Sequence, residues 1–119
     1  MDQLQIFSFS RCSTCRRALA WLDQHDLAYA LHDIVETPPS RDQLQSALVA
    51  LGDRKRLFNT SGQSYRALGA AVVKAFSDDQ ALDALASDGK LIKRPLVLLP
   101  NGTWLAGFKQ EVWEEAFQR

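Results

Sequence analysis

Apolar and polar residues follow a pattern that predicts a strand, a helix and a second strand near the start of the chain. Residues 4–9 (LQIFSF) begin with apolar–polar alternation and are rich in β-forming residues, which predicts a strand. Residues 13–25 place apolar side chains on one broad face and end in polar residues, which predicts a helix. Residues 27–34 (LAYALHDI) predict the second strand. Because a crossover helix joins them, we expect the two strands to be parallel neighbours.

The middle of the chain carries helical signals. Ser40 is placed to cap a helix whose apolar residues recur at helical spacing as far as Gly52. Residues 63–69 predict a short helix stopped by glycine, and residues 77–80 (SDDQ) fit the capping box that starts another helix. Residues from about 36 to 90 therefore predict an all-helical insert.

Two segments of this insert are expected to be irregular. Residues 53–56 (DRKR) form a short charged run, which is predicted to be a solvated surface connector rather than a binding patch. Residues 57–62 (LFNTSG) are predicted to form a loop.

Strands return near the end of the sequence. Residues 96–99 and 104–108 predict two strands joined at Asn101-Gly102, the strongest short signal for a β-hairpin. A final helix at residues 110–117 is expected to bury Val112, Trp113, Ala116 and Phe117. The order β-α-β, helical insert, β-β-α indicates an α/β, thioredoxin-like fold. It predicts one domain over residues 1–119, with a mixed four-stranded sheet flanked by helices.

Composition narrows the classes of function. The chain has 119 residues, 46% of them hydrophobic, which suits one soluble domain. Lys plus Arg and Asp plus Glu both number 14, so the net charge is zero, and a direct nucleic-acid binder would usually be basic. The first residues carry no basic segment, and no apolar run is long enough for a signal peptide or a membrane span. We therefore expect a cytoplasmic protein without membrane contact, in which a cysteine pair cycles rather than forms a permanent crosslink.

The two cysteines form a C-x-x-C motif between the first strand and the first helix. Unpaired N–H groups and the positive end of the helix dipole favour a thiolate at Cys12, whose pKa is expected to fall from ~8.5 towards 7 or lower. Cys15 lies one turn further on the same face, where it can attack a mixed disulfide on Cys12. Cys12 is thus the candidate nucleophile and Cys15 the candidate resolving thiol. Further cations near Cys12 are Arg11, Arg16 and Arg17.

The spacing of nearby residues argues against two other uses of the cysteines, zinc binding and haem attachment. A zinc site would need His25 and His32 as further ligands, and their separation exceeds the usual spacing. Haem attachment needs C-x-x-C-H, and Arg16 occupies the last position. We expect both histidines to be structural and no metal to be bound. Two buried, inert thiols stay open as an alternative.

Arg94-Pro95 stands immediately before the third predicted strand. An X-Pro bond is the common place for a cis peptide. At this strand entrance Arg94 would lie across the sheet end from the cysteine loop, where its guanidinium could bind an oxyanion or carboxylate and stabilise a thiolate. A plain turn proline beside a surface arginine is the alternative, and the spacing alone does not decide between them.

Taken together, four motifs resemble the arsenate reductase (ArsC)/Spx family. They are residues 12–15 (CSTC), 65–69 (YRALG), 91–96 (LIKRPL) and 107–109 (GFK). The resemblance covers nearly the whole chain and implies a thioredoxin-like core with a helical insert. It also implies a nucleophile at Cys12, an anion-binding arginine at Arg94 and a cis-proline at Pro95.

The family pattern is only partly kept at the oxyanion site. Glutaredoxin-coupled arsenate reductases surround the oxyanion with three arginines, and here Asn59 and Gly107 replace two of them while Arg94 is retained. At roughly 1.5–3 kcal/mol per charged hydrogen bond, we expect weak or no arsenate reduction. Further candidates for binding an anion or substrate are Arg11, Ser13, Thr14, Arg16 and Pro95.

Those arsenate reductases carry one catalytic cysteine in the loop, so the second cysteine here resembles the Spx-type branch. The expected function is a cytosolic thiol–disulfide oxidoreductase that forms a Cys12–Cys15 disulfide. It would act on a small thiol or oxyanion substrate and bind no cofactor. An external thiol, such as glutathione with glutaredoxin, or thioredoxin, would reduce it. The alternative is an Spx-like redox-sensing regulator that binds the C-terminal domain of the RNA polymerase α subunit.

Overall fold

The computed structural model describes residues 3–118. Its strands are β1 (Leu4–Ser8), β2 (Tyr29–Asp33), β3 (Leu96–Leu98) and β4 (Trp104–Ala106). Its helices are α1 (Ser13–Gln24), α2 (Arg41–Leu51), α3 (Gln63–Leu68), α4 (Ala70–Ala75), α5 (Asp78–Ser87) and α6 (Gln110–Phe117). Short 3-10 helices occupy Arg54–Arg56 and Gly89–Leu91. The predicted domain of residues 1–119 includes Met1, Asp2 and Arg119, which lie outside the described residues.

The four strands form one mixed sheet in the order β2-β1-β3-β4. β1 runs parallel to β2, with Leu4 opposite Tyr29. It runs antiparallel to β3, with Phe7 opposite Leu96, and β3 continues into β4 as an antiparallel hairpin. The predicted parallel pair, hairpin and mixed four-stranded sheet are confirmed.

Helices cover both faces of this sheet. Successive residues of β1 point to opposite sides, so Ile6 packs among α1, β3, β4 and α6 while Phe7 packs against the helical insert. Both side chains are almost fully buried. Burial on both faces fixes the position of β1, and the cysteine loop leaves from its end.

The predicted helix starts at Ser40 and Ser77 are confirmed in atomic detail. The Ser40 hydroxyl accepts the Gln43 N–H at 3.1 Å, and the Gln43 side chain accepts the Ser40 N–H at 2.9 Å. Ser77 and Gln80 repeat the arrangement at the same two distances. These reciprocal bonds satisfy N–H groups that a helix start otherwise leaves without partners.

The last helix has its predicted bounds but buries only Trp113 completely, since Ala116 and Phe117 are partly buried. Trp113 is 1% exposed and its Nε1 donates to the Gly107 carbonyl at 3.1 Å. Val112, predicted to be buried, is 46% exposed. The reason is helical geometry: residues 113, 116 and 117 share the face that packs on the sheet, and residue 112 is turned away from it.

The charged run at residues 53–56 is exposed at Asp53, Lys55 and Arg56, as predicted for a surface connector, but Arg54 is partly buried. Arg54 donates to the carbonyl oxygens of Val73 at 3.3 Å and Phe76 at 2.6 Å, and it pairs with Asp78 at 2.9 Å. The guanidinium therefore joins the end of α4 to the start of α5. The following residues, 57–62, form the predicted loop, and its first two side chains, Leu57 and Phe58, are essentially fully buried.

No helix within residues 3–118 has both the length and the apolar character needed to span a membrane.

Replacing Arg54 by Met should destabilise the protein by about 1.5–3 kcal/mol, because two partly buried carbonyl oxygens lose a charged donor. Urea denaturation measures the change. The matched control is Lys55→Met at the neighbouring exposed position, for which we expect a change within about 0.5 kcal/mol. Equal losses in the two variants would contradict a structural role for Arg54.

Candidate active site

The cysteine loop is held by short backbone contacts between β1 and α1. The Cys12 N–H donates to the Phe9 carbonyl at 3.0 Å and closes the turn. Arg16 reaches back from α1 and donates to the Ser10 carbonyl at 2.9 Å. The loop therefore has a defined path from the sheet to the helix.

Cys12 is the N-cap residue of α1, as predicted. Its backbone is extended, and its sulfur accepts the Cys15 N–H at 3.4 Å. An N-cap side chain normally supplies an oxygen acceptor for these unpaired N–H groups. Here the sulfur fills that position, so the first turn of the helix favours the thiolate over the thiol.

The surroundings of Cys12 lower its pKa. Partial burial of the sulfur acts to raise the pKa, but hydrogen bonds from the Cys15 backbone and side chain and from Arg94 outweigh it, together with the Arg94 charge. The predicted direction is confirmed, and of the arginines that the sequence suggested only Arg94 is among the causes. Arg94 from across the sheet stabilises the thiolate, rather than the loop arginines Arg11, Arg16 and Arg17.

Cys15 is in the opposite situation. It is fully buried, and that burial raises its pKa to about 11, helped by its hydrogen bond to Cys12 and by the charge there. Hydrogen bonds from the Phe9 backbone and the Ser8 side chain lower the pKa and so favour the Cys15 thiolate, although burial outweighs them. Both cysteines are free thiols in this structure. The pair thus consists of an activated outer sulfur and a protonated inner one.

Arg94 faces the cysteine loop, which decides the alternative that the sequence left open. Because Phe7 pairs with Leu96, the residues before β3 lie beside those after β1. The Arg94–Pro95 bond is cis, and Pro95 is buried at the strand entrance. The Arg94 Cζ lies 4.9 Å from the centre of the Phe9 ring, which supports the guanidinium on one side. Its Nη1 is buried and has no hydrogen-bond partner among residues 3–118, so a donor remains for a ligand.

A cavity of about 640 Å³ opens beside Cys12. Thr14 and Arg94 line it, and so do Asn59 and Gly107, the positions that replace two arginines of the family pattern. The other predicted binding residues lie elsewhere. The cavity lining does not include Arg11, Ser13, Arg16 and Pro95.

Sequence reasoning missed several cations of this cavity. Besides Arg17 and Arg94, its lining includes Lys55, Arg56, Lys93 and Lys109. Two of these belong to the charged run at residues 53–56, which was interpreted as a surface connector. Lys93 and Lys109 lie within the family motifs that contain Arg94 and Gly107. Their position in these motifs was the sequence signal that could have identified them as cavity residues.

The two histidines lie outside the cavity. The His25 ring packs on Trp21, with Nδ1 2.8 Å from the Trp21 carbonyl, and His32 contacts Gln5. Within residues 3–118 no three metal-binding side chains come together.

Replacing Arg94 by Gln should raise the pKa of Cys12, because the thiolate loses its cation. Alkylation of Cys12 by iodoacetamide at neutral pH is expected to slow by about tenfold. Mass spectrometry of the Cys12 peptide measures the rate of alkylation. The control is Arg11→Gln, an exposed arginine in the same loop, which should change the rate little. A slowing in Arg11→Gln as large as in Arg94→Gln would contradict the assignment.

The chain matches known proteins over nearly its whole length. Residues 7–116 match the model of the ArsC family. The chain is 40% identical over 114 residues to the uncharacterized protein YusI of Bacillus subtilis (strain 168), covering 94% of this chain and 96% of that one. It is 34% identical over 106 residues to an arsenate reductase of Escherichia coli, covering 88% and 74%. Identity to the global transcriptional regulator Spx of Streptococcus pyogenes serotype M3 (strain ATCC BAA-595 / MGAS315) is 29% over 94 residues, covering 78% and 69%.

A crystal structure described as a possible arsenate reductase from Streptococcus mutans UA159 shares the fold. It superposes with a TM-score of 0.87 at 40% identity and covers 98% of this chain and 100% of that one. The predicted thioredoxin-like fold is thereby confirmed. From the match over residues 7–116 and these relatives, the chain belongs to the ArsC family.

Proposed function

We propose that this protein is a thiol-dependent reductase in which Cys12 attacks an oxidised substrate and Cys15 resolves the product. One observation carries the proposal: the Cys12 sulfur caps α1 beside the unpaired donor of Arg94, with Cys15 buried directly behind it. A nucleophile, an anion-binding group and a second thiol thus meet at one cavity.

The reaction on a disulfide substrate has two displacements. The Cys12 thiolate attacks one substrate sulfur, forms a mixed disulfide and expels the other half as a thiolate. Cys15 then loses its proton to solvent and attacks the Cys12 sulfur, which releases the remaining half. The substrate gains two electrons and the protein keeps a Cys12–Cys15 disulfide. An external thiol then returns both cysteines to thiols. It is either glutathione with glutaredoxin, or thioredoxin.

The surroundings of Cys15 support this order of steps. While Cys12 is a thiolate, its charge and its hydrogen bond contribute to the raised pKa of Cys15. Both contributions end once Cys12 is part of a mixed disulfide. The Phe9 backbone and the Ser8 side chain, which stabilise a Cys15 thiolate, stay in place. Cys15 is therefore activated by the first displacement, and an early reaction of Cys15 is disfavoured.

A relative named arsenate reductase supports reductase chemistry but not arsenate as the substrate. Asn59 and Gly107 line the cavity where the family pattern has arginines. A glycine offers no donor from its side chain, and Asn59 is neutral. We therefore propose an organic disulfide or mixed disulfide as the substrate in preference to arsenate.

Replacing either cysteine by Ser should stop disulfide reduction at different steps. With glutathione disulfide or an aromatic disulfide as oxidant, Cys12→Ser should lose all activity above background. Cys15→Ser should release one leaving thiol per chain and retain the other half as a mixed disulfide, visible as an added mass on Cys12. Full turnover by Cys12→Ser would remove the assigned nucleophile.

Arsenate should be reduced weakly or not at all by the natural chain. Asn59→Arg should increase arsenate-dependent oxidation of thiol by several-fold, because it returns one charged donor to the cavity. Asn101→Arg, in the exposed hairpin turn, is the control and should have no effect. Robust consumption of thiol with arsenate by the unsubstituted protein would contradict this expectation.

A second candidate function is a redox-sensing regulator. The relative named Spx and the close pair of free cysteines favour it. In this reading the Cys12–Cys15 disulfide changes binding to the C-terminal domain of the RNA polymerase α subunit. A pull-down with reduced and oxidised protein tests it, and binding that ignores the redox state would count against a switch.

A further inference from the structure

The cavity beside Cys12 is strongly cationic although the chain is neutral overall. Six of the 14 Lys and Arg residues line it, and no acidic residue among those described does. The ion pairs of the described residues involve only Arg41 and Arg54, both outside the cavity. The cations lining the cavity are Arg17, Lys55, Arg56, Lys93, Arg94 and Lys109.

Three lysines of the cavity form no ion pair with the described residues. Among the arginines, Arg56 donates to the Leu51 carbonyl at 3.0 Å. Lys55, Lys93 and Lys109 are exposed, and no side-chain hydrogen bond is formed by them within residues 3–118. Lys93 lies across Gly107, where its Cε is 3.2 Å from the place a β carbon would take. It therefore supplies a positive charge over the position at which the family pattern has an arginine.

The size and walls of the cavity favour an organic anion over a small inorganic one. Its volume of about 640 Å³ is typical of sites for organic ligands and far exceeds the need of one tetrahedral oxyanion. Part of the cavity wall is apolar and aromatic, contributed by Leu105, Phe108, Val112 and Trp113. Such a wall can bury the carbon framework of a ligand whose charged groups bind the lysines.

We propose that the substrates of this site are organic disulfides that carry two or more carboxylate or phosphate groups, selected by Lys55, Lys93 and Lys109. The inference rests on the proposed reductase function and adds the class of substrate. Cys12 attacks the disulfide, Arg94 binds an anionic group next to the reacting sulfur, and the lysines bind the charges further out. The electrons and leaving groups follow the two displacements described above.

Two chromogenic disulfides of similar reactivity separate charge selection from thiol reactivity. One is the dianion 5,5′-dithiobis(2-nitrobenzoate), and the other is the neutral 2,2′-dithiodipyridine. Both release a coloured thiol when Cys12 attacks, so the ratio of their rate constants cancels any change in the thiolate fraction of Cys12. In the natural protein, added salt should lower the rate for the dianion and leave the neutral probe unchanged.

The decisive comparison is between two double variants with the same change in net charge. Lys93→Gln with Lys109→Gln should lower the ratio of dianion to neutral rate constants by about tenfold and remove most of its salt dependence. Lys74→Gln with Lys90→Gln, at exposed positions outside the cavity, should change the ratio by less than about twofold. Adding Lys55→Gln to the first pair should lower the ratio further.

Each other outcome contradicts the inference at an identifiable step. Equal effects of the two pairs would mean that only net charge matters, and an unchanged ratio would mean that the lysines select nothing. Either result leaves the reductase function standing if Cys12 still reacts with both probes. If neither probe reacts faster than with Cys12→Ser, the reductase function fails, and the substrate class fails with it.

Discussion

The sulfur of Cys12 occupies the position where the first turn of α1 needs a hydrogen-bond acceptor. A thiolate is a better acceptor than a thiol, so ionisation of Cys12 and capping of the helix support each other. The Cys15 N–H approaches from the helix and Arg94 from the far side of the loop. The Cys15 contact is local to the start of α1, whereas the Arg94 contact depends on the register that pairs Phe7 with Leu96 and brings two distant parts of the chain to one end of the sheet.

The rest of the fold keeps that end of the sheet in place. β1 is covered on both faces, by the cluster around Trp113 on one side and by the helical insert on the other. Arg54 joins two helices of the insert, and the loop after it carries Leu57 and Phe58 into the core. The same short segment therefore anchors the insert through its buried residues and lends Lys55 to the cavity. The buried residues Leu57 and Phe58 stabilise the fold, and the exposed Lys55, two positions earlier, is the residue proposed to select charged substrates.

Features with local causes could be predicted from the sequence, and those set by distant contacts could not. The helix caps at Ser40 and Ser77, the turn at Asn101-Gly102 and the placement of Cys12 before α1 depend on neighbours within a few residues. Arg54 could not be interpreted correctly because its partners lie about twenty residues away, at the end of α4.

The candidate site shows the same division. Cys12 and Cys15 were identified by spacing, but the cation that acts on Cys12 is Arg94, just before β3, whose position the sequence left as one of two alternatives. Of the loop arginines, which are nearer in sequence, Arg16 donates to the Ser10 carbonyl and Arg17 lines the cavity, but neither is among the groups that lower the pKa of Cys12. The cationic cavity is assembled from four separate stretches of chain, so no single sequence motif indicates it.

The central claim is that Cys12 ionises well before Cys15 because of their different surroundings. Nuclear magnetic resonance of protein labelled with ¹³C at the cysteine β carbons follows both titrations separately. We predict that Cys12 titrates below the ordinary range of a thiol, while Cys15 stays protonated until about pH 11. A Cys12 that titrates as an ordinary thiol, or after Cys15, would contradict the account.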